Sequence, residues 1–228
     1  MTGDKRSRLL LLQQGDSFFP SGAMVFSWGL ETLCEDGLIS GAEDLESYLE
    51  GQIRGRWHPF ERVVVASAHG MAQALESLAA VDRLVEAQTL AEELRKGSRK
   101  AGRAFIGVHR RLGTPGAGDY EAMIASGGAL GHASVVQGMV WARLGLDEEA
   151  AMLLSAHQLA TAMLGSAIRL GVIGHVAAQR ILTRAHSLAA SVLEDEPVPD
   201  LDSLSAFVPE AEVAVMRHET AASRLFSN

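Results

Sequence analysis

The sequence predicts an all-α fold, a single-domain helical bundle of roughly eight to ten helices. Three observations lead there. Apolar residues recur at spacings of three and four through most of the 228 residues, the period of a helix face. Aromatic residues are only 5% of a chain that is 47% hydrophobic, so the core must be built from Ala, Leu, Val, Ile and eight Met, a composition that suits close helix packing better than a β-sandwich. No segment alternates apolar and polar residues between hairpin turns.

In chain order, helical pattern is readable over 42–55, 60–78, 81–96, 98–112, 119–143, 147–170 and 174–193. The 147–170 segment is the clearest. Asp147 is placed to cap it, Glu148 and Glu149 favour its positive N-terminal end, and Ala151, Leu154, Leu159, Met163 and Ile168 lead to a stop at Gly171. Gly127, Gly128, Gly131 and Gly138 fall inside the 119–143 pattern, each costing about 1 kcal/mol against alanine. Close approach between helix backbones is the expected reason, and a kink that receives a ligand is the alternative.

Breaks fall at 113–118 and at 194–202, the latter holding Pro197 and Pro199. Neither separates regions of different composition. The expectation is one domain over 1–228, with 194–209 an extended connector and 210–228 a partner-binding C-terminal tail. The tail sets Arg217, Glu219 and Arg224 beside Met216, Leu225 and Phe226, and arginine and aromatic residues are enriched at interface centres. A last helical turn folded back on its own core is the competing reading.

The net charge of −8 argues against a dedicated nucleic-acid binder, whose affinity comes from phosphate neutralisation. Cys34 is the single cysteine, so no intrachain disulfide forms and a reducing compartment suits the chain. Leu9 to Leu12 follow Lys5, Arg6 and Arg8, but this apolar run is too short for a secretory signal, and no run approaches the ~18 consecutive apolar residues of a membrane span. The expected setting is the cytoplasm, with no membrane partner.

Enzyme motifs are not found. Lys5, Lys96 and Lys100 are the only lysines and none follows glycine, which excludes a P-loop. No serine forms a Gly-x-Ser-x-Gly nucleophile elbow. Cys34 reads as a buried structural thiol. The histidines at 58, 69, 109, 132, 157, 175, 186 and 218 include no pair three to five residues apart, so no single helix presents a local metal pair. A site assembled from distant helices stays open. Arg95, Lys96, Arg99, Lys100, Arg103, Arg110 and Arg111 form a basic face, read either as solvated or as a docking surface for an acidic or phosphate-bearing partner. RNA binding lacks an aromatic stacking platform there.

The stretch Leu11 to Glu31, with its Asp16-Ser17 step, Pro20-x-Gly22 turn and Ser27-x-Gly29-Leu30-Glu31 leading into a helix, resembles the opening signature of the urease accessory protein UreF family. Further segments follow in the family's order: Arg99 to Arg103, His132 to Gly138, Leu164 to Gly171, and the tail Met216 to Thr220 with Ser223 to Phe226. The likeness covers nearly the whole chain. Two departures stand out. Met24 and Phe26 occupy positions where the family often has an aromatic residue and a histidine, and Ala221 and Ala222 replace bulkier residues.

The resemblance implies a non-enzymatic scaffold in nickel delivery. It would bridge a UreD/UreH-type accessory protein and a nickel-carrying UreG-type GTPase for nickel insertion into apo-urease, regulate the GTPase, and form a homodimer in the complex. No cofactor is expected to be bound stably; nickel is handled by the complex, and no metal ligand is assigned. Arg217, His218, Glu219, Arg224 and Phe226 are expected at the UreD-type interface, and Arg99, Arg103 and Arg169 against the GTPase. Asp16, Ser17, Pro20, Gly22, Ser27, Gly29 and Glu31 are expected to shape the N-terminal turn and helix start, Asp16 and Ser17 by capping.

Overall fold

The computed structural model describes residues 5–20 and 28–218. Among them there is no strand; the α-helices are α1 (Lys5–Gly15), α2 (Leu30–Glu35), α3 (Ala42–Gln52), α4 (Arg62–Gly70), α5 (Leu75–Gln88), α6 (Glu92–Arg111), α7 (Ala117–Ala125), α8 (Ala133–Leu144), α9 (Glu148–Arg169), α10 (His175–Asp195) and α11 (Pro209–His218). A π-helical segment, Ile53–Glu61, joins α3 to α4 without a break, and a short 3-10 turn covers Leu201–Ser203. The described residues therefore make ten helical rods, an all-α bundle as the apolar spacing predicts.

Two buried clusters organise the bundle. One gathers Val63, Val64, Ala68, Leu78, Phe105, Ile106, Tyr120, Val136, Met139 and Trp141 from α4 to α8. The other gathers Leu30, Leu33, Leu45, Leu49, Ile53, Trp57, Met163, Ala167, Ile181 and Ala185 from α2, α3, the π segment, α9 and α10. Gly138 allows α8 to lie against α4: a Cβ there would stand 2.4 Å from the Val65 carbonyl oxygen.

α9 follows its sequence signals closely. Asp147 accepts the Ala150 amide at 2.8 Å, and the helix ends at Arg169 before Gly171 in the left-handed region, φ 75°. The Val172 and Gly171 amides return to the Ala167 and Ile168 carbonyls, both at 3.0 Å, which closes the helix end in a Schellman arrangement. α9 is also, among the described residues, the one helix long and apolar enough to cross a membrane, and 67% of its apolar window is buried inside the protein. It is a core helix here.

Four expected boundaries are corrected. The border expected at 79–80 falls at 71–74, between α4 and α5. The 119–143 helix is two helices, because Gly127 and Gly131 take φ 81° and 82° and open a loop over 126–132. The border expected near residue 97 falls at 89–91; Gly97 is buried within α6, while Glu92 and Glu93 occupy its first turn, where acidic residues belong. The expected gap between 55 and 60 is filled by the π segment. Pro59 lacks the amide that would bond the carbonyl of residue 55. The Phe207 amide occupies that acceptor instead, at 2.8 Å from the Gly55 carbonyl oxygen, and the Ser205 amide bonds the Pro59 carbonyl at 3.2 Å. The wider π turn thus frees carbonyls that the connector after α10 satisfies.

Buried Arg62 fixes the start of that connector, donating to the carbonyls of Val192, Glu196 and Pro197 at 3.4, 3.0 and 3.2 Å. A basic side chain on the last carbonyls of α10 satisfies groups that the helix itself leaves unpaired.

Candidate interaction site

The expected site residues collect around α11 and α2, along α6, and at the end of α9. Trp28 and Gly29 precede α2 with φ 53° and 80°. Gly29 is needed twice: for its left-handed backbone, and because a Cβ would stand 3.0 Å from both the Ala211 carbonyl oxygen and the Ala214 Cβ of α11. The Trp28 carbonyl accepts the Tyr48 hydroxyl at 2.5 Å, and the Arg56 guanidinium lies 5.2 Å from the centre of the Trp28 ring.

This turn carries Glu31 inward, where it meets the last residue of α11. His218 is 2% exposed. Its Nε2 lies 3.1 Å from Glu31 Oε2 and its Nδ1 2.7 Å from Glu93 Oε1 of α6. One imidazole therefore ties three helices together. Each of its ring nitrogens lies within hydrogen-bond distance of a carboxylate oxygen from a different helix. Beside it, Arg217 forms a two-pronged pair with Asp36, one arm at 3.0 Å; that guanidinium holds the Asp36 carboxyl below its ordinary range.

The remaining expectations fare differently. Asp16 accepts the Phe18 amide at 2.8 Å and so turns the chain after α1, while Ser17 and Pro20 are exposed. Gly22, Ser27, Glu219, Arg224 and Phe226 lie outside the described residues. His218, expected at an interface, faces inward. Arg99 is half-buried and paired with Glu86 at 2.9 Å; Arg103 is exposed. Arg169 closes α9 against the second cluster and reaches Ser166 Oγ at 3.0 Å, whereas Arg99 and Arg103 sit on α6, whose core residues belong to the first. The basic face is largely neutralised within the fold: Arg95 and Arg99 by Glu86, Lys96 by Glu92, and Arg110 by Glu121.

Sequence reasoning missed the polar centre that holds α5, α7 and α8 in register. Buried Asp82 accepts the amides of Leu130, Gly131 and His132 at 2.8, 2.5 and 2.8 Å, and the Tyr120 hydroxyl at 3.0 Å. His132, buried beside it, reaches Glu86 at 2.8 Å and Ser98 at 3.1 Å. Burial pushes the His132 imidazole below its usual range against the pull of Asp82 and Glu86. An aspartate within an amphipathic helix gives no sequence signal of this role.

Cys34, expected to be buried, is half-buried, and that burial raises its thiol to about 11. A cavity of about 100 Å³ lies among Trp28, Arg56, Trp57, Glu61, Ser134 and Gln158. Gly127, Gly128, Gly131 and Gly138 do not line it; these glycines serve turns and packing, not a ligand recess. Among the described residues no three His, Cys, Asp or Glu side chains are grouped to hold a metal ion.

These features define a helical protein whose polar groups are spent on fastening its elements. The UreF family model matches residues 39–186. A urease accessory protein UreF from Trichodesmium erythraeum (strain IMS101) is 32% identical over the whole of both chains. Others from Streptococcus salivarius (strain 57.I) and Arthrobacter sp. (strain FB24) are each 27% identical, over 96% of this chain and 93% and 96% of their own lengths. The chain belongs to the UreF family of urease accessory proteins.

Proposed function

We propose that this chain is a non-enzymatic scaffold that bridges a UreD/UreH-type accessory protein and a nickel-carrying UreG-type GTPase, regulates that GTPase, and acts in the cytoplasm, as a homodimer within the complex, to deliver nickel to apo-urease. Nucleic acid and membrane have no part in it. Family membership supports the urease setting. The carrying observation for the interface is the buried His218 junction: α11 is fastened by Glu31 and Glu93, so residues 219–228 follow from a fixed anchor. Among them Glu219, Arg224 and Phe226 supply the charged and aromatic contacts, with Arg217 beside them.

The test is co-expression with a cognate UreD/UreH-type protein and UreG-type GTPase, followed by the mass of the purified complex. Ending the chain after His218 keeps the Glu31 and Glu93 junction. It is expected to abolish the UreD-type complex while thermal stability changes little. A complex that survives this truncation removes the tail from the interface, and a chain that binds neither partner overturns the scaffold reading.

A further inference from the structure

We propose that His157 and His186 form a two-ligand surface site for a borderline divalent transition-metal ion, where α9, α10 and the C-terminal end of α1 meet. His157 Nδ1 and His186 Nε2 are 3.0 Å apart. Two imidazole nitrogens each ~2.1 Å from one ion stand about 3.0–3.4 Å apart when they bind it at octahedral or tetrahedral angles. The pair thus has the separation of neighbouring ligands without any rearrangement of the backbone.

The supporting shell is in place. His157 Nε2 donates to the Gly15 carbonyl oxygen at 3.0 Å, which leaves the Nδ1 lone pair directed at His186 and fixes the ring plane. Metal-bound histidines are oriented in this way through their second nitrogen. Gly15 closes α1, so its carbonyl belongs to the negative end of a helix, which favours a nearby cation. A Cβ at Gly15 would stand 3.4 Å from the His157 ring and 3.3 Å from Leu154; glycine is what lets the carbonyl and the imidazole meet.

In the metal-free protein His186 Nε2–H donates to His157 Nδ1, since the other His157 nitrogen is already the donor to Gly15. Binding asks that His186 shift its proton from Nε2 to Nδ1 and that its exposed ring tilt until both lone pairs converge on the ion, with no net proton released. His186 is exposed, so water fills the other positions on the ion. Imidazole ligands suit nickel, zinc or copper rather than magnesium or calcium, and two protein ligands make a site that exchanges its ion readily. The inference is independent of the scaffold reading and concerns the isolated chain.

Equilibrium dialysis of the untagged full chain against NiCl2 and ZnCl2, with MgCl2 as control, tests it. Wild type is expected to take up one Ni²⁺ or Zn²⁺ per chain at this site and no Mg²⁺. His157→Ala and His186→Ala should each weaken that uptake at least about tenfold, while His175→Ala, on the exposed start of α10, changes nothing. Imidazole ¹⁵N shifts of residues 157 and 186 should move together on adding Zn²⁺. Should His157→Ala loosen α1, the exposed His186→Gln variant provides the same reading in an intact fold. No uptake by wild type, or uptake unchanged in both the 157 and 186 variants, means a hydrogen-bonded pair only and overturns the proposal.

Discussion

Gly102 and Gly131 bring two backbones into direct contact: a Cβ on Gly102 would stand 2.1 Å from the Gly131 carbonyl oxygen and 2.9 Å from the His132 carbonyl carbon. The glycine within the basic segment is therefore held by packing between α6 and the loop before α8. Gly102→Ala is expected to destabilise the chain by about 1–3 kcal/mol or more, as overpacking does. Gly165→Ala should do the reverse by about 0.5–1 kcal/mol, because nothing but Arg169 Nη1 approaches its Cβ position, at 4.0 Å. Thermal unfolding of the two variants side by side decides; equal shifts would contradict the assignment.

Asp82→Asn replaces a carboxylate that accepts three amides and a hydroxyl with an amide that turns its own N–H groups toward donors. A loss of at least about 3 kcal/mol is expected in urea unfolding. A loss below about 1 kcal/mol would show that the loop keeps its shape without the charge.

Stability should fall on mild acidification. Burial holds the His109 imidazole at about 4 against an ordinary 6.5, and its ring lies against Phe19 and Phe105. The folded protein binds this proton less readily than the unfolded chain. His109 therefore contributes its full stability above pH 6.5 and loses it progressively as pH falls from 6.5 to about 4, by up to about 3 kcal/mol. Denaturant titrations across that window should show a shallower slope in His109→Gln, which cannot take up the proton. An identical slope would assign the pH dependence to other groups, including His58 and His132, which burial also lowers.

His218→Ala removes the imidazole from Glu31 and Glu93 and is expected to loosen α11 at its C-terminal end. Amide exchange over 209–218 should accelerate at least about tenfold, with α9 and α8 unchanged. Protection that survives the substitution would place the anchoring of α11 in Gly29 and Ala214 alone.

Charge reversal separates recruitment from folding most cleanly at Arg103, which is exposed, whereas Arg99→Glu also faces Glu86 across an existing pair. If α6 receives the GTPase, Arg103→Glu should weaken recruitment several-fold and alter its salt dependence at unchanged melting temperature. Recruitment indifferent to this change would leave α6 a solvated face.

The elements legible in sequence are those whose signals are local. α9 carries its own cap, acidic first turn and glycine stop, so its limits are readable to within a residue or two. α7 and α8 fuse in the reading because apolar spacing runs through Gly127 and Gly131, whose left-handed backbone is visible only once folded. Arg99 and Lys96 read as part of one basic face; Lys96 meets Glu92 one turn back on its own helix, whereas Glu86 reaches Arg99 only once α5 packs on α6. Glu31, Glu93 and His218 are separated by 62 and 125 residues, and His157 from His186 by 29. No spacing rule joins such groups; only helix packing does.

The hydrogen bond from Phe207 to Gly55 has a consequence for synthesis. The run 42–70 leaves the ribosome long before residues 205–207 exist, so its Gly55 and Pro59 carbonyls must first be hydrated. The last strand of contacts in this helix is supplied by chain made some 150 residues later. A nascent chain halted short of residue 205 can coil through this region, but it cannot complete it. Two carbonyls in the first third of the protein are thus satisfied only after the connector that follows α10 has been made.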